Sequence, residues 1–416
     1  MNTTDRFESE LAAWLIDTAV PMTLDDIDPI VELTAGVRQR PRWTFLGRWL
    51  PMRATTLGRQ LRTPPWRVIA ALAALLILVA ALLAIRAGSQ PNVLDAFGLA
   101  RNGLVVYGTG GDIVTVDPET GETETLVGGV DDDSVPIYSR DGTRIAFLRS
   151  VAGEQTLFIV SADGSGLRKL TDPIDIRSPT WSPDGSEIAF ANGDLLVVAT
   201  DGGGMRRLNL GGVEAQFAQW RPPDGRQIMF TDGSDGVSLY LVGRDETGLA
   251  PIRLADGSRV TDPAIGWTPD GTRLVTLRET AAPEVGRSRL HVLTVADDGL
   301  VTGDSMVGPA HVNGPFAVGL SPDGSKATVA AAETVDGDDW RVAVVPVDGT
   351  SPVVTTGPTF TGDDYQFGWS PDGQIIYVKD VAQDVTWLLD PDGGEARQAT
   401  WHDPSDELVV WQRLAP

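Results

Sequence analysis

The chain contains no cysteine and only three histidines in 416 residues. Without thiols there is neither a disulfide nor a thiolate metal site, so an oxidising compartment is permitted and stability must come from packing. His291, His311 and His402 stand apart, with no second histidine at metal-ligand spacing, and read as surface or packing residues. A Gly-x-Ser-x-Gly elbow is also missing, which excludes the nucleophile of an α/β-hydrolase. Positive charge is scarce and unevenly placed. Residues 1 to 86 carry ten Arg against eight Asp or Glu, a net of +2, while the remainder has 23 basic and 49 acidic residues, a net of −26. Such an acidic region repels nucleic acid and anionic lipid, so nucleic acid is not an expected partner.

Long hydrophobic runs are equally rare, and one dominates. Val68 to Ile85 is 18 consecutive apolar residues between Arg67 and Arg86. At about 1.5 Å rise per residue it covers roughly 27 Å, close to the hydrocarbon thickness of a bilayer. Preceded by 67 residues and followed by no small-x-small cleavage site, it reads as a membrane span over residues 67–86 and not as a cleaved signal. Eight Arg between positions 38 and 67 are interleaved with Trp43, Phe45, Trp49 and Trp66, an interfacial texture. Their excess on this side places the N-terminus in the cytoplasm. Residues 1–66 then form a cytoplasmic segment, partly helical: Phe7, Leu11, Trp14 and Leu15 fall at helical spacing, and Asp28-Pro29 begins a second short helix. Residues 87–102 read as a linker.

Beyond it the sequence repeats. Trp181-Ser-Pro-Asp-Gly-Ser-Glu-Ile-Ala-Phe190 has recognisable copies whose Asp-Gly pairs begin at Asp141, Asp184, Asp224, Asp270, Asp323 and Asp372, a spacing of 40 to 53 residues. In that unit Pro183 presets φ, Asp184 follows, and Gly185 supplies the positive φ that closes a hairpin. A second apolar run follows in most copies, as at Leu157 to Val160, Leu195 to Val198 and Val342 to Val345, and then a polar segment, as at Leu167 to Leu170. Four short strands per unit of this length is the signature of a β-propeller blade.

The Trp-Ser-Pro-Asp-Gly-x-x-Ile-Ala-Phe unit resembles the propeller repeat of periplasmic TolB and its relatives, a WD-repeat-like family. The resemblance covers roughly Leu104 to the C-terminus. Three copies depart from it. The first reads Tyr138-Ser139-Arg140-Asp141-Gly142, the third has an extra residue in Trp220-Arg221-Pro222-Pro223-Asp224-Gly225, and the fifth has Leu320 in place of Trp. Leu104 to Tyr107, Ile113 to Val116 and Glu124 to Val127 match the last three strands of a unit whose first is missing, and Glu407 to Leu414 is a strand without a blade. The two ends are expected to share one blade, which makes an all-β, seven-bladed propeller over residues 103–416. The alternative is six blades with a peripheral tail.

No residue stands out as catalytic, cofactor-binding or metal-binding, and the binding residues are unassigned. Asp131-Asp132-Asp133 and the run Asp336 to Asp339 match no complete calcium loop and read as turns. Trp181, Trp220, Trp267 and Trp369 recur at equivalent places and are expected to wedge between blades, whereas Trp340, Trp387, Trp401 and Trp411 fall outside that pattern. The expectation is that the chain is not an enzyme but a binding or interaction module of the cell envelope, with a protein or small-molecule ligand at a propeller face. The N-terminal segment would meet a cytoplasmic protein partner, as in a transmembrane sensor or anti-sigma-like regulator. The alternative is an envelope enzyme of lyase or glycoside hydrolase type, with paired Asp residues in the propeller channel.

Overall fold

The computed structural model describes residues 97–415 apart from 235–237, 280–287, 312–318, 333–338, 363–364, 382 and 402–408. The expected N-terminal helices, basic aromatic segment and apolar run lie outside the described residues. Among the described residues no helix is long and apolar enough to cross a membrane.

Seven four-stranded antiparallel sheets are present among the described residues. Blade 1 contains β1 (Arg101–Thr109), β2 (Asp112–Val116) and β3 (Thr123–Val127), and blade 2 contains β4 (Asp132–Tyr138), β5 (Arg144–Val151), β6 (Glu154–Ser161) and β7 (Arg168–Lys169). Blade 3 is β8 (Arg177–Trp181), β9 (Glu187–Ala191), β10 (Leu195–Ala199) and β11 (Met205–Arg207). Blade 4 is β12 (Ala215–Trp220), β13 (Gln227–Asp232), β14 (Leu239–Gly243) and β15 (Ala250–Pro251). Blade 5 is β16 (Ala264–Trp267), β17 (Arg273–Glu279), β18 (Ser288–Val295) and β19 (Val301–His311). Blade 6 is β20 (Gly319–Leu320), β21 (Lys326–Ala332), β22 (Asp339–Pro346) and β23 (Val354–Thr361). Blade 7 is β24 (Tyr365–Trp369), β25 (Ile376–Asp380), β26 (Val385–Leu389) and β27 (Arg397–Gln398). The last strand, β28 (Val410–Leu414), returns to blade 1 and gives it the order β28-β1-β2-β3.

The register of that closure is explicit: Arg101 opposes Leu414, Val105 opposes Trp411, and Val106 opposes Val410. Both ends therefore supply what the other lacks, and the six-bladed alternative is excluded. The same register corrects the reading of Trp411. Its partner Val105 stands where Ile188 stands opposite Trp181 and Ile376 opposite Trp369. Trp411 is thus the repeat tryptophan of blade 1, hidden in sequence because no Asp-Gly pair follows it.

Burial follows position within the blade. Middle strands are covered on both faces by neighbouring blades, so they are continuous apolar runs and do not alternate: Leu195 to Val198 and Ile188 to Ala191 are all buried. First strands of adjacent blades pack together, β8 against β12, β16 against β20 and β28 against β4, which makes them the inner ring. Outermost strands such as Arg168–Lys169 and Arg397–Gln398 are exposed and charged or polar, a composition that discourages edge pairing. The apolar core is accordingly divided among blade junctions. Trp181 joins Leu148 and Leu157 of blade 2 to Phe190 of blade 3, and Trp411 joins Tyr107 of blade 1 to Tyr377 of blade 7.

Candidate functional site: the turn face and its axial cavity

Because the strands of a blade are antiparallel, the turns after its first and third strands share one end, here termed the turn face. The repeated motif builds this face from its own side chains. In blade 3, Asp184 Oδ1 accepts hydrogen bonds from Ser182 Oγ at 2.6 Å, Ser186 N at 3.0 Å and Ser186 Oγ at 2.8 Å. Ser182 Oγ in turn accepts from Glu187 N, and Gly185, at φ 66°, closes the turn onto the Ser182 carbonyl. The pattern recurs at Asp141, Asp270, Asp323 and Asp372. Partial burial works against the charge on Asp184, but hydrogen bonds from Ser182, Ser186 and Arg244 outweigh it and hold the carboxyl well below the ordinary range. Asp141, Asp270 and Asp323 are lowered by the same balance.

Departures from the motif gather on this same face. Five blades carry Pro183, Pro222, Pro269, Pro322 and Pro371 two residues after the wedge position. Blade 2 has Arg140 there, and blade 1 has Arg413, in register two residues beyond Trp411. A cavity of about 180 Å³ is lined by Arg413 of blade 1, Arg140 of blade 2, Trp220 of blade 4, Trp267 of blade 5 and Leu320 of blade 6. A space touched from opposite sides of the ring lies on its axis. Phe97 completes the wall, and its ring lies 4.8 Å from the Arg140 guanidinium carbon. The segment carrying Phe97 is tied across the mouth, with Gly98 N donating to Pro322 O at 3.0 Å, Ala100 N to Pro371 O at 2.8 Å, and Arg413 Nη1 to Gly98 O at 2.9 Å. Arg413 Nε donates to the Arg140 carbonyl at 3.1 Å. Burial and the Arg413 charge lower the Arg140 pKa to about 10.

The third motif departure lies beside the axis. The extra residue of blade 4 puts Trp220 opposite Ile228, eight positions on, and widens the turn so that Gly225 N donates to Arg221 O. A groove of about 730 Å³ opens there, lined by both turns of blade 4 and the motif turn of blade 5. Two of its arginines are committed to the fold. Arg221 donates to the carbonyls of Gly271 at 2.8 Å and Val295 at 2.7 Å, and Arg244 bridges to Glu187 and Asp184 of blade 3.

The residues singled out from sequence are scattered. His291 lies on β18, its Nδ1 2.7 Å from Asp304, which Arg278 also contacts. His311 ends β19, and His402 lies outside the described residues. Asp133 is buried and holds Arg149 at 2.6 Å, while Asp131 pairs with the same arginine. Asp339 accepts from Thr361, and Asp336 lies outside the described residues. Trp220 and Trp181 do wedge between blades, donating to Thr180 O and Ile137 O of the preceding blade. Trp340 stacks on Phe360 at 4.7 Å and Trp401 is buried in the blade 7 and blade 1 junction, so both are core residues. The paired carboxylates expected of a channel lyase or glycosidase are not among the described residues that line the axial cavity. Sequence reasoning noted Arg140 only as a flaw in a copy and passed over Arg413.

Residues 107–300 match the model of the TolB beta propeller domain. Over 46 residues the chain is 56% identical to the Tol-Pal system protein TolB of Anaeromyxobacter dehalogenans strain 2CP-C, a stretch spanning 11% of either chain. Among solved structures it is similar to a protein of unknown function from Desulfotomaculum acetoxidans, at 11% identity and a TM-score of 0.51 over 76% of this chain and 99% of that one. It is also similar to a periplasmic gluconolactonase of Pseudomonas aeruginosa, at 16% identity and a TM-score of 0.49 over 75% of this chain and 99% of the other. That neighbour corrects the expectation that the chain is not an enzyme. That neighbour is named as an enzyme, and fold by itself neither assigns an activity to this chain nor excludes one. By its motif, its seven blades and the match over residues 107–300, the propeller of this chain is TolB-like.

Proposed function

We propose that the propeller is the binding module of an extracytoplasmic, membrane-anchored chain, and that it takes a protein or small-molecule ligand on its turn face. The supporting observation is where the molecule departs from its own repeat. Copies of one structural unit keep what the fold needs, and Arg140, Arg413 and the widened turn of blade 4 all leave the pattern on one face around the axis. In the same reading residues 1–66 are cytoplasmic, 67–86 span the membrane, 87–102 lead outward and 103–416 form the outer domain, an arrangement suited to a transmembrane sensor with a cytoplasmic protein partner. The name of the Tol-Pal relative fits an envelope location.

Absence of cysteine makes a single introduced thiol a unique crosslinking handle. Arg226→Cys places it on the turn face and Glu154→Cys at the opposite end, both at exposed positions. In cells producing the full-length chain, partner crosslinks are expected from position 226 and not from 154. Crosslinks from 154 alone overturn the assignment of the face. Reporter fusions after Arg62 and Asn102 should report cytoplasm and exterior respectively, and the same side for both overturns the anchor.

A further inference from the structure

The turn face already holds one extended segment, and that segment is the chain's own. Gly98 N donates to the Pro322 carbonyl of blade 6 at 3.0 Å and Ala100 N to the Pro371 carbonyl of blade 7 at 2.8 Å, so alternate residues reach the motif turns of successive blades before the chain becomes β1. Arg413 Nη1 donates to Gly98 O, and the Arg140 guanidinium lies over the Phe97 ring. Main-chain bonds at every second residue, with one aromatic side chain on a cation, are the contacts of a bound peptide.

The blades do not depend on residues 97–100. Phe97 and Leu99 stand outside the buried core, and Leu99 is 53% exposed. Blades 3 and 5 form the same turn with the same internal bond from the motif hydroxyl to the aspartate, yet among the described residues nothing donates to the carbonyl of Pro183 or Pro269. The acceptors therefore belong to the repeat and not to the segment that lies on them. Pro269 lines the axial cavity beside Pro322, so a longer segment has a further acceptor next to the two in use.

We propose that residues 97–100 are the internal occupant of a peptide site, and that the turn face takes an extended segment of a partner protein in their place. The partner's main-chain N–H groups would bond to the Pro322 and Pro371 carbonyls, and an aromatic side chain would lie on Arg140. The inference deepens the reading of the turn face as the binding face, rests on it, and makes the ligand a peptide. In that reading residues 87–102 are the linker, so a partner that displaces the segment also releases the linker's end.

The test uses the purified full-length chain and a synthetic peptide of residues 94–102, Leu-Asp-Ala-Phe-Gly-Leu-Ala-Arg-Asn, as the probe. The resident segment competes with the peptide from within the same molecule. Phe97→Ala loosens that competitor and leaves every acceptor in place, so in calorimetry it should bind the peptide about tenfold more tightly than wild type. The same peptide N-methylated at the residues matching Gly98 and Ala100 lacks both donors and should bind at least tenfold more weakly. A measurement on the wild-type chain needs no variant: millimolar peptide should speed hydrogen exchange at the Gly98 and Ala100 amides as they leave their carbonyls. No peptide binding to folded Phe97→Ala at millimolar concentration, equal affinity for wild type and Phe97→Ala, equal binding of the N-methylated peptide, or unchanged exchange at those amides overturns the proposal. If the peptide fails while crosslinks from position 226 persist, the peptide site falls alone; if both fail, the turn face falls with it.

Discussion

Two residues past the wedge position, five blades carry proline and two neighbouring ones arginine, and the two groups do different work. In the proline blades the residue is a contact between turns. A Cβ added at Gly225 would strike Pro183, one at Gly271 would fall on the Pro222 carbonyl, and one at Gly324 would strike Pro269. Each glycine is therefore pinned by the blade before it. At blade 1 the backbone keeps that contact, since a Cβ at Gly142 would fall on the Arg413 carbonyl, whereas at blade 2 Gly185 faces the Arg144 guanidinium, and both Arg140 and Arg413 line the axial cavity. A repeat can give up its proline at two adjacent places because a backbone carbonyl or an arginine side chain can make the same seam contact.

The largest way to break this comparison is at the seam itself. Removing residues 410–416 takes away β28, the Trp411 wedge and Arg413 together. Ladder hydrogen bonds worth roughly 1 kcal/mol each and about 3 kcal/mol for burying Trp411 are lost, and a sheet edge is exposed. The truncated protein should aggregate or melt far below the intact chain in calorimetry; an unchanged melting temperature would contradict closure by the two termini.

Next in size is Gly271→Ala at a proline seam. Gly271 has φ 67°, and its new methyl group would displace the Pro222 carbonyl, so a loss of about 3 kcal/mol is expected in denaturant unfolding. Gly110→Ala is the control, since Gly110 has φ 60° with nothing near its Cβ position, and it should cost only about 1 kcal/mol. Equal losses would remove the inter-blade contact from the argument.

Acid should act next, and on both groups of blades. Asp141, Asp184, Asp270 and Asp323 have folded-state pKa values below the ordinary carboxylate value. Their contribution is complete above the unfolded-chain value of about 4 and is lost as pH falls through the lower folded values. Melting temperature should therefore be nearly level from about pH 7 to 5 and fall below about pH 4. Asp184→Asn should flatten that fall, and an acid limb identical to wild type would show that these turns are not its source.

Arg140→Pro is the smallest expected change in stability, within about 1 kcal/mol of wild type in either direction, because it removes a poorly solvated charge and restores a turn residue of the other blades. A loss of several kcal/mol would make Arg140 a structural residue and would sharpen the comparison against the cavity.

Much of the fold was legible because its determinants are local. Trp181 through Phe190 contains the wedge, the turn and the next strand, and its hydrogen bonds run between residues two to five apart. Missing strands at the two ends were enough to predict the shared blade. Trp411 was misread because blade 1 receives its first strand from the far end of the chain, where the motif stops after the wedge. The meeting of Arg140 and Arg413 was illegible for the same reason. Arg140 and Arg413 are 273 residues apart, and Arg413 donates to the Arg140 carbonyl across that separation.

What the sequence by itself determined is the blade, its period and the number of blades, since each copy carries its own turn chemistry and its own apolar strands. Only the tertiary structure decided which departures from the repeat meet. Closing seven blades into a ring brings the last strand of the chain, in blade 1, beside blade 2, so Arg413 and Arg140 become neighbours through geometry that no short-range pattern encodes.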